Sequence, residues 1–203
     1  IGGGNYCPGG AGVHVGISGS ASGISYQLYL GGLAIGSPIT GTGSGIDFGF
    51  QTGAGTYTVV GTDVTTGCTG PMSGSASVII SALPAAFNLI GGGNYCAGGA
   101  GLHIGLSGST VGVNYTLYRG ITSVVTVPGT GGPVDFGLVS TAGTYTAVGV
   151  NSSTTCQNNM LGSVSIVVNP VVTPGVIITT GVGDTVCEGS LITFTASPIN
   201  GGS

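Results

Sequence analysis

Few side chains in this sequence can carry chemistry. Across 203 residues there are five cysteines (Cys7, Cys68, Cys96, Cys156 and Cys187) and two histidines, His14 and His103. There are five acids (Asp47, Asp63, Asp135, Asp184 and Glu188), and Arg119 is the single cation. Cys7 and Cys68 stand 61 positions apart, and Cys96 and Cys156 stand 60 apart. Matched spacing predicts two disulfides, Cys7–Cys68 and Cys96–Cys156, each worth roughly 4 kcal/mol by chain entropy. Cys187 is then expected to pair with a residue beyond Ser203. Buried reduced thiols are the alternative, and zinc is disfavoured because no C-x-x-C spacing occurs. Disulfides place the chain in an oxidising, extracellular setting.

The remaining groups do not assemble into a reactive centre. His14 and His103 fall on the outward phase of their strands with no second His or Cys nearby in sequence, so they read as surface or packing residues. Asp47 and Asp135 recur in Ile46-Asp-Phe-Gly and Val134-Asp-Phe-Gly. Calcium needs six to eight oxygen ligands, and one acid per copy favours turn capping instead. Tyr57 and Tyr145, each in Ala-Gly-Thr-Tyr-Thr, match a structural tyrosine corner. Tyr29 and Tyr118 point outward, where a sugar would stack. The triplets Gly2–Gly4 and Gly91–Gly93 lack the Lys-Ser/Thr of a phosphate loop and read as flexible lead-ins to turns. No Ser-His-Asp set stands at defined spacing. The expectation is therefore no catalytic, cofactor-binding or metal-binding residue, and no enzyme.

Composition narrows the partners further. Charged residues make up 3% of the chain, and 45 residues are Gly. Nucleic-acid binding requires clustered cations to displace counterions, and one Arg cannot supply them. No run of about 20 apolar residues suggests direct membrane insertion. The chain opens on Ile1 without a signal-peptide pattern and reads as a piece of a longer secreted polypeptide.

These residues sit in a tandem repeat. Ile1-Gly-Gly-Gly-Asn-Tyr-Cys7 recurs as Ile90–Cys96, and Ala54–Thr58 recurs as Ala142–Thr146, with one residue lost near Gly31-Gly32. Within each copy apolar residues alternate with polar ones, as in Val13/Val15/Ile17, Ile24/Tyr26/Leu28 and Ala76/Val78/Ile80. Short alternating strands between Gly- and Pro-rich turns predict an all-β fold of tandem immunoglobulin-like β-sandwiches, end to end. The expected divisions are 1–82, 83–169, and a truncated third unit at 170–203. The joint Leu83–Leu89 is short and apolar, which predicts a semi-rigid connection.

Three stretches carry a resemblance: Gly55–Thr62, Thr66–Thr69 with Met72–Val78, and Cys187–Pro198. Together with Tyr26–Tyr29 and Gly31-Gly32, they resemble the tandem Ig-like and PKD-like repeats of large secreted Bacteroidota cell-surface proteins. Leu28 and Leu117 stand where related repeats often carry Trp. The resemblance implies stalks or filaments of adhesins, commonly exported by type IX secretion. It also brings an O-glycosylation pattern that Asp184-Thr185-Val186 fits, with Thr185 as acceptor and bare Thr as the alternative.

An almost uncharged surface gives edge strands none of the Lys that normally protects them. The faces are therefore expected to be covered by other copies of the chain, by adjacent repeats or by glycans. The expected function is a structural repeat segment of an extracellular surface filament or adhesin stalk. The alternative is a carbohydrate- or surface-binding β-sandwich module.

Overall fold

A computed structural model describes residues 1–180 and 185–199. Its strands follow the alternating segments. The first repeat contributes β1 (Gly4–Tyr6), β2 (Val13–Ile17), β3 (Ile24–Leu30), β4 (Leu33–Thr40), β5 (Ile46–Gln51), β6 (Gly55–Asp63), β7 (Thr69–Pro71) and β8 (Ala76–Ile80). The second contributes β9 (Leu89–Gly91), β10 (Gly93–Cys96), β11 (Leu102–Leu106), β12 (Val113–Arg119), β13 (Thr122–Pro128), β14 (Val134–Val139), β15 (Gly143–Asn151), β16 (Gln157–Asn159) and β17 (Val164–Asn169). A hairpin of β18 (Gly175–Thr180) and β19 (Phe194–Ile199) follows.

Each repeat is a two-sheet sandwich of immunoglobulin type. One sheet runs β1-β8-β6-β3-β4 with β7 on β6, facing the β2–β5 pair. Its counterpart runs β10-β17-β15-β12-β13 with β16 on β15, facing β14-β11-β9. The inward phase of the strands fills one core with Val15, Tyr26, Leu28, Tyr57 and Val78. The equivalent Ile104, Tyr115, Leu117, Tyr145 and Ile166 fill the other. Tyr57 donates its hydroxyl proton to the Gly53 carbonyl at 2.8 Å, and Tyr145 to the Thr141 carbonyl at 2.6 Å. These are the side-chain-to-upstream-backbone bonds of a tyrosine corner, made by rings that are almost wholly buried.

The glycine triplets are sheet switches that demand glycine, and more than the lead-ins to turns that composition suggests. In repeat two the chain leaves β9, paired antiparallel with β11, and enters β10, paired parallel with β17, across Gly91–Gly93. All three residues take positive φ, at +94°, +71° and +125°. A Cβ on Gly91 would lie 2.2 Å from the His103 carbonyl oxygen, and one on Gly2 would lie 2.2 Å from that of His14. Only glycine fits the crossing. The residue by which the repeats differ also lies elsewhere than expected. It is inside β4, where the register slips between Tyr26/Ile39 and Leu28/Ile35, and not at Gly31-Gly32. Gln27 Nε2 fills the irregularity by donating to the Ile35 carbonyl at 2.8 Å.

Gly91→Ala is expected to lower the stability of repeat two by ~3 kcal/mol or more, because backbone strain and a backbone clash coincide. Gly98→Ala, at φ +87° but with open space around it, should cost only about 1 kcal/mol. Denaturant midpoints of the two variants provide the comparison.

Candidate functional site

The disulfide expected within each repeat forms between them instead. Cys7 is bonded to Cys156, 149 positions away, with 5.4 Å between Cα atoms. Cys68, Cys96 and Cys187 are free and exposed. Neither Cys7–Cys68 nor Cys96–Cys156 exists, and the reason is geometric. Cys7 follows Tyr6, which lies opposite Ile80 at the end of β8. Cys68 caps the far end of β6, where Asp63 N–H donates to its carbonyl at 2.9 Å. β6 runs antiparallel to β8. Its length therefore separates the two cysteines by roughly 30 Å at about 3.3 Å per residue, against the ~7 Å limit for Cα atoms of a disulfide. Equal spacing marked equivalent positions, which in a tandem array is satisfied as well by a bond to the next repeat.

The bond is one end of a clasp. The chain leaving repeat one runs beside residues 156–161 of repeat two. Cys156 Sγ lies 3.9 Å from the Ser81 carbonyl oxygen. This is a contact only, since a bonded sulfur has no proton to give. Asn158 Nδ2 donates to the Pro84 carbonyl at 2.8 Å. Leu161 N–H donates to Phe87 O at 2.8 Å, and Leu89 N–H to Leu161 O at 2.9 Å. Phe87 packs edge-on to Tyr115, and Leu89 is buried in the core of repeat two. The apolar joint thus becomes part of the second sandwich.

The turn before each second-position cysteine is held by one side-chain oxygen. In repeat one Asp63 Oδ1 accepts from Thr65 and Thr66 N–H, both at 2.9 Å. Those donors hold its carboxyl below the usual carboxylate range, Thr66 most strongly and then Thr65. In repeat two the uncharged Asn151 Oδ1 accepts from Ser153 and Thr154 N–H at 2.9 and 3.1 Å. Thr155, next to Cys156, takes φ +59° where repeat one has Gly67 at +71°.

The histidines and aspartates that sequence left apart form pairs. His14 Nδ1 donates to Asp47 Oδ2 at 2.6 Å, and His103 Nδ1 to Asp135 Oδ2 at 2.6 Å. The other carboxylate oxygen of each Asp caps the N–H two residues on, in Gly49 and Gly137, at 2.8 Å. Asp47 is held below its ordinary range, first by the Gly49 N–H and, among the other lowering causes, next by His14. A shallow hollow of about 290 Å³ adjoins the first pair, beside Ile1, Ile17 and Ile46. One of about 300 Å³ adjoins the second, beside Ile90, Leu106 and Val134. Among the described residues, the lining of either hollow contains no Ser, Thr or Cys. Among the described residues no group of three potential ligands converges. Sequence missed the pairs because the partners lie on different strands. The available signal was that, in a chain so poor in charge, both repeats keep one outward base and one outward acid.

Tyr29 and Tyr118 are half-buried on the outer sheet face, and Thr185 is exposed. Asp184, the first residue of the Thr185 motif, lies outside the described residues.

No family of known proteins matches the chain, and no curated protein matches it. Among solved structures it is similar to the human OSCAR ligand-binding domain, at 16% identity over 80% of this chain and 93% of that one, with a TM-score of 0.36. It is similar to the BSP domain of a biofilm associated protein at 12% identity, over 76% of this chain and 27% of that one, TM-score 0.29. A third is the three N-terminal domains of the bacteriophage RB49 outer capsid protein Hoc, at 13% identity over 90% of this chain and 60% of that one, TM-score 0.26.

As pH falls through the lowered value of Asp63, the stability its carboxylate lends to the 63–68 turn is lost. That stability is fully present above the ordinary carboxyl range. The amide shifts of Thr65 and Thr66 should titrate with Asp63, while those of Ser153 and Thr154 stay flat, as followed by NMR. Thr155→Gly should stabilise repeat two by about 1 kcal/mol, because a β-branched residue gives up a left-handed φ; the denaturant midpoint reads it.

Proposed function

We propose that this chain is a non-catalytic structural segment of an extracellular surface filament or adhesin stalk, built from repeats of the kind found in large secreted Bacteroidota surface proteins. The observation that carries this reading is the Cys7–Cys156 bond. A staple within a domain stabilises that domain; one between domains fixes their relative placement, which a load-bearing or display element needs and an isolated binding module does not. The bond also supports an oxidising, extracellular location. Near-absence of charge supports faces that are covered by other repeats, other copies or glycans, and the single Arg119 leaves one tryptic site. Export by type IX secretion and glycosylation at Thr185 belong to the same reading.

A second reading, a surface- or carbohydrate-binding module, is favoured by one observation: the His–Asp hollow is repeated at equivalent positions.

Solution scattering tests the structural reading. The oxidised chain should give one narrow distance distribution for its two sandwiches. Cys7→Ser should broaden it while leaving each sandwich folded. A distribution equally broad in both proteins would overturn the reading.

A further inference from the structure

The single cation of the chain continues an inward phase. Tyr115, Leu117 and Arg119 alternate along β12 as Tyr26, Leu28 and Leu30 do along β3. Arg119 lies opposite Tyr145, and Leu30 opposite Tyr57. The stem of Arg119 takes the path of Leu30. A Cβ on Gly143 would lie 2.9 Å from Arg119 Cδ, and one on Gly55 would lie 2.7 Å from Leu30 Cδ1. Beyond that point Arg119 borders an open hollow of about 340 Å³ between the ends of β12, β13 and β14. Ser123, Ser140 and Thr141 bring hydroxyls to its lining, and Val124 and Leu138 bring apolar surface. Among the described residues the ion pairs are the two His–Asp ones, and no carboxylate reaches Arg119.

The same place in repeat one carries little of this chemistry. Ala34 pairs with Tyr29 as Ser123 pairs with Tyr118. Tyr57 bonds to the Gly53 carbonyl as Tyr145 bonds to that of Thr141. Arg119, Ser123 and Thr141 therefore stand where repeat one has Leu30, Ala34 and Gly53, on a matching frame. Each exchange adds a polar group, and the fold does not require any of them, because repeat one builds the frame without them. A following repeat does not cover this place. With repeat two behind it, repeat one keeps Leu33 74% exposed, and Ala34 and Thr52 are exposed as well.

We propose that Arg119, Ser123, Ser140 and Thr141 form a binding site for a carboxylate-bearing saccharide, such as a uronic acid unit. The planar guanidinium presents paired N–H donors that match a carboxylate bidentately. Hydroxyl side chains both donate and accept, as ring hydroxyls need. Val124 and Leu138 meet the C–H face of the ring. The hollow is at the small end of ligand pockets and holds one sugar unit. Its wall is set before the ligand arrives, because the hydroxyls of Tyr95 and Tyr145 fix the carbonyls of Ser140 and Thr141. The site lies at the other end of β14 from Asp135 and its hollow. It deepens the carbohydrate-binding reading and rests on that reading for the class of ligand.

Titration of the full, nitrogen-15-labelled chain with galacturonate, followed by NMR, tests this. Saturable shifts are expected at the amides of Ser123, Ser140, Thr141 and Gly143, while those of Ala34, Thr52, Gly53 and Gly55 stay flat. Galactose, which lacks the carboxylate, should bind about tenfold more weakly, in line with the loss of a charge-assisted pair. Acetate, which lacks the ring, should be weaker than galacturonate by a similar factor. Arg119→Leu copies Leu30 and so keeps the frame; it should bring galacturonate binding down to the galactose level. Galacturonate shifts that miss these amides would overturn the proposal, as would acetate binding equally well, or unchanged binding in Arg119→Leu. Sugar-induced shifts confined to the His–Asp hollows would leave the carbohydrate-binding reading standing while this proposal fails. No shift anywhere with either sugar would end both.

Discussion

The length of one strand decides the covalent plan of this chain. β6 spans Gly55–Asp63 and its counterpart β15 spans Gly143–Asn151. Each carries the chain from the exit end of its sandwich, where the first-position cysteine sits, to the entry end, where the second sits. A sandwich spanned by such a strand cannot close a bridge between its own two cysteines, and the disulfide found among the described residues couples one sandwich to the next. The glycine triplets make this possible. By moving the chain from one sheet to the other without leaving the sandwich, they set Tyr6 and Tyr95 alongside β8 and β17. There the tyrosine hydroxyls donate to the carbonyls of Thr52 and Ser140, and the neighbouring cysteines are delivered to the exit.

Scarcity of charge shapes the rest. With few carboxylates, three of the five do local work: Asp47 and Asp135 cap a backbone N–H and hold a histidine, and Asp63 organises a turn. Asn151 shows that the turn needs an oxygen and not a charge. The exposed β18–β19 hairpin, with Val176, Ile178 and Phe194 facing solvent, follows the same economy.

Much of the fold was legible because it depends on local periodicity. The alternation in Val13–Ile17 or Ile24–Leu30 specifies a strand and its buried face wherever the strand ends up, and the Ala-Gly-Thr-Tyr-Thr pattern marked Tyr57 and Tyr145 as inward residues. Pairing was not legible, because it depends on which ends of which strands meet. Cys7 and Cys68 share a repeat yet lie at opposite ends of it, whereas Cys7 and Cys156 are far apart in sequence and adjacent in space. The His14–Asp47 and His103–Asp135 pairs were hidden for the same reason, since each crosses a bulged pair of strands. The glycine triplets were misread because composition records glycine's freedom, while the close approach of the His14 and His103 carbonyls, which demands glycine, appears only in three dimensions.

The Cys7–Cys156 bond also dictates how the chain transmits tension. Pulled from a point before Cys7 and a point after Cys156, the polypeptide carries force directly from sulfur to sulfur. Everything between, including the whole of β2 through β15, forms a closed loop in parallel with that covalent path. Both sandwiches could unfold thermally without lengthening the covalent route between those two points. The extensible part of the segment is therefore confined to what lies outside the bond: the few residues around β1 on one side, and β16, β17 and the hairpin on the other.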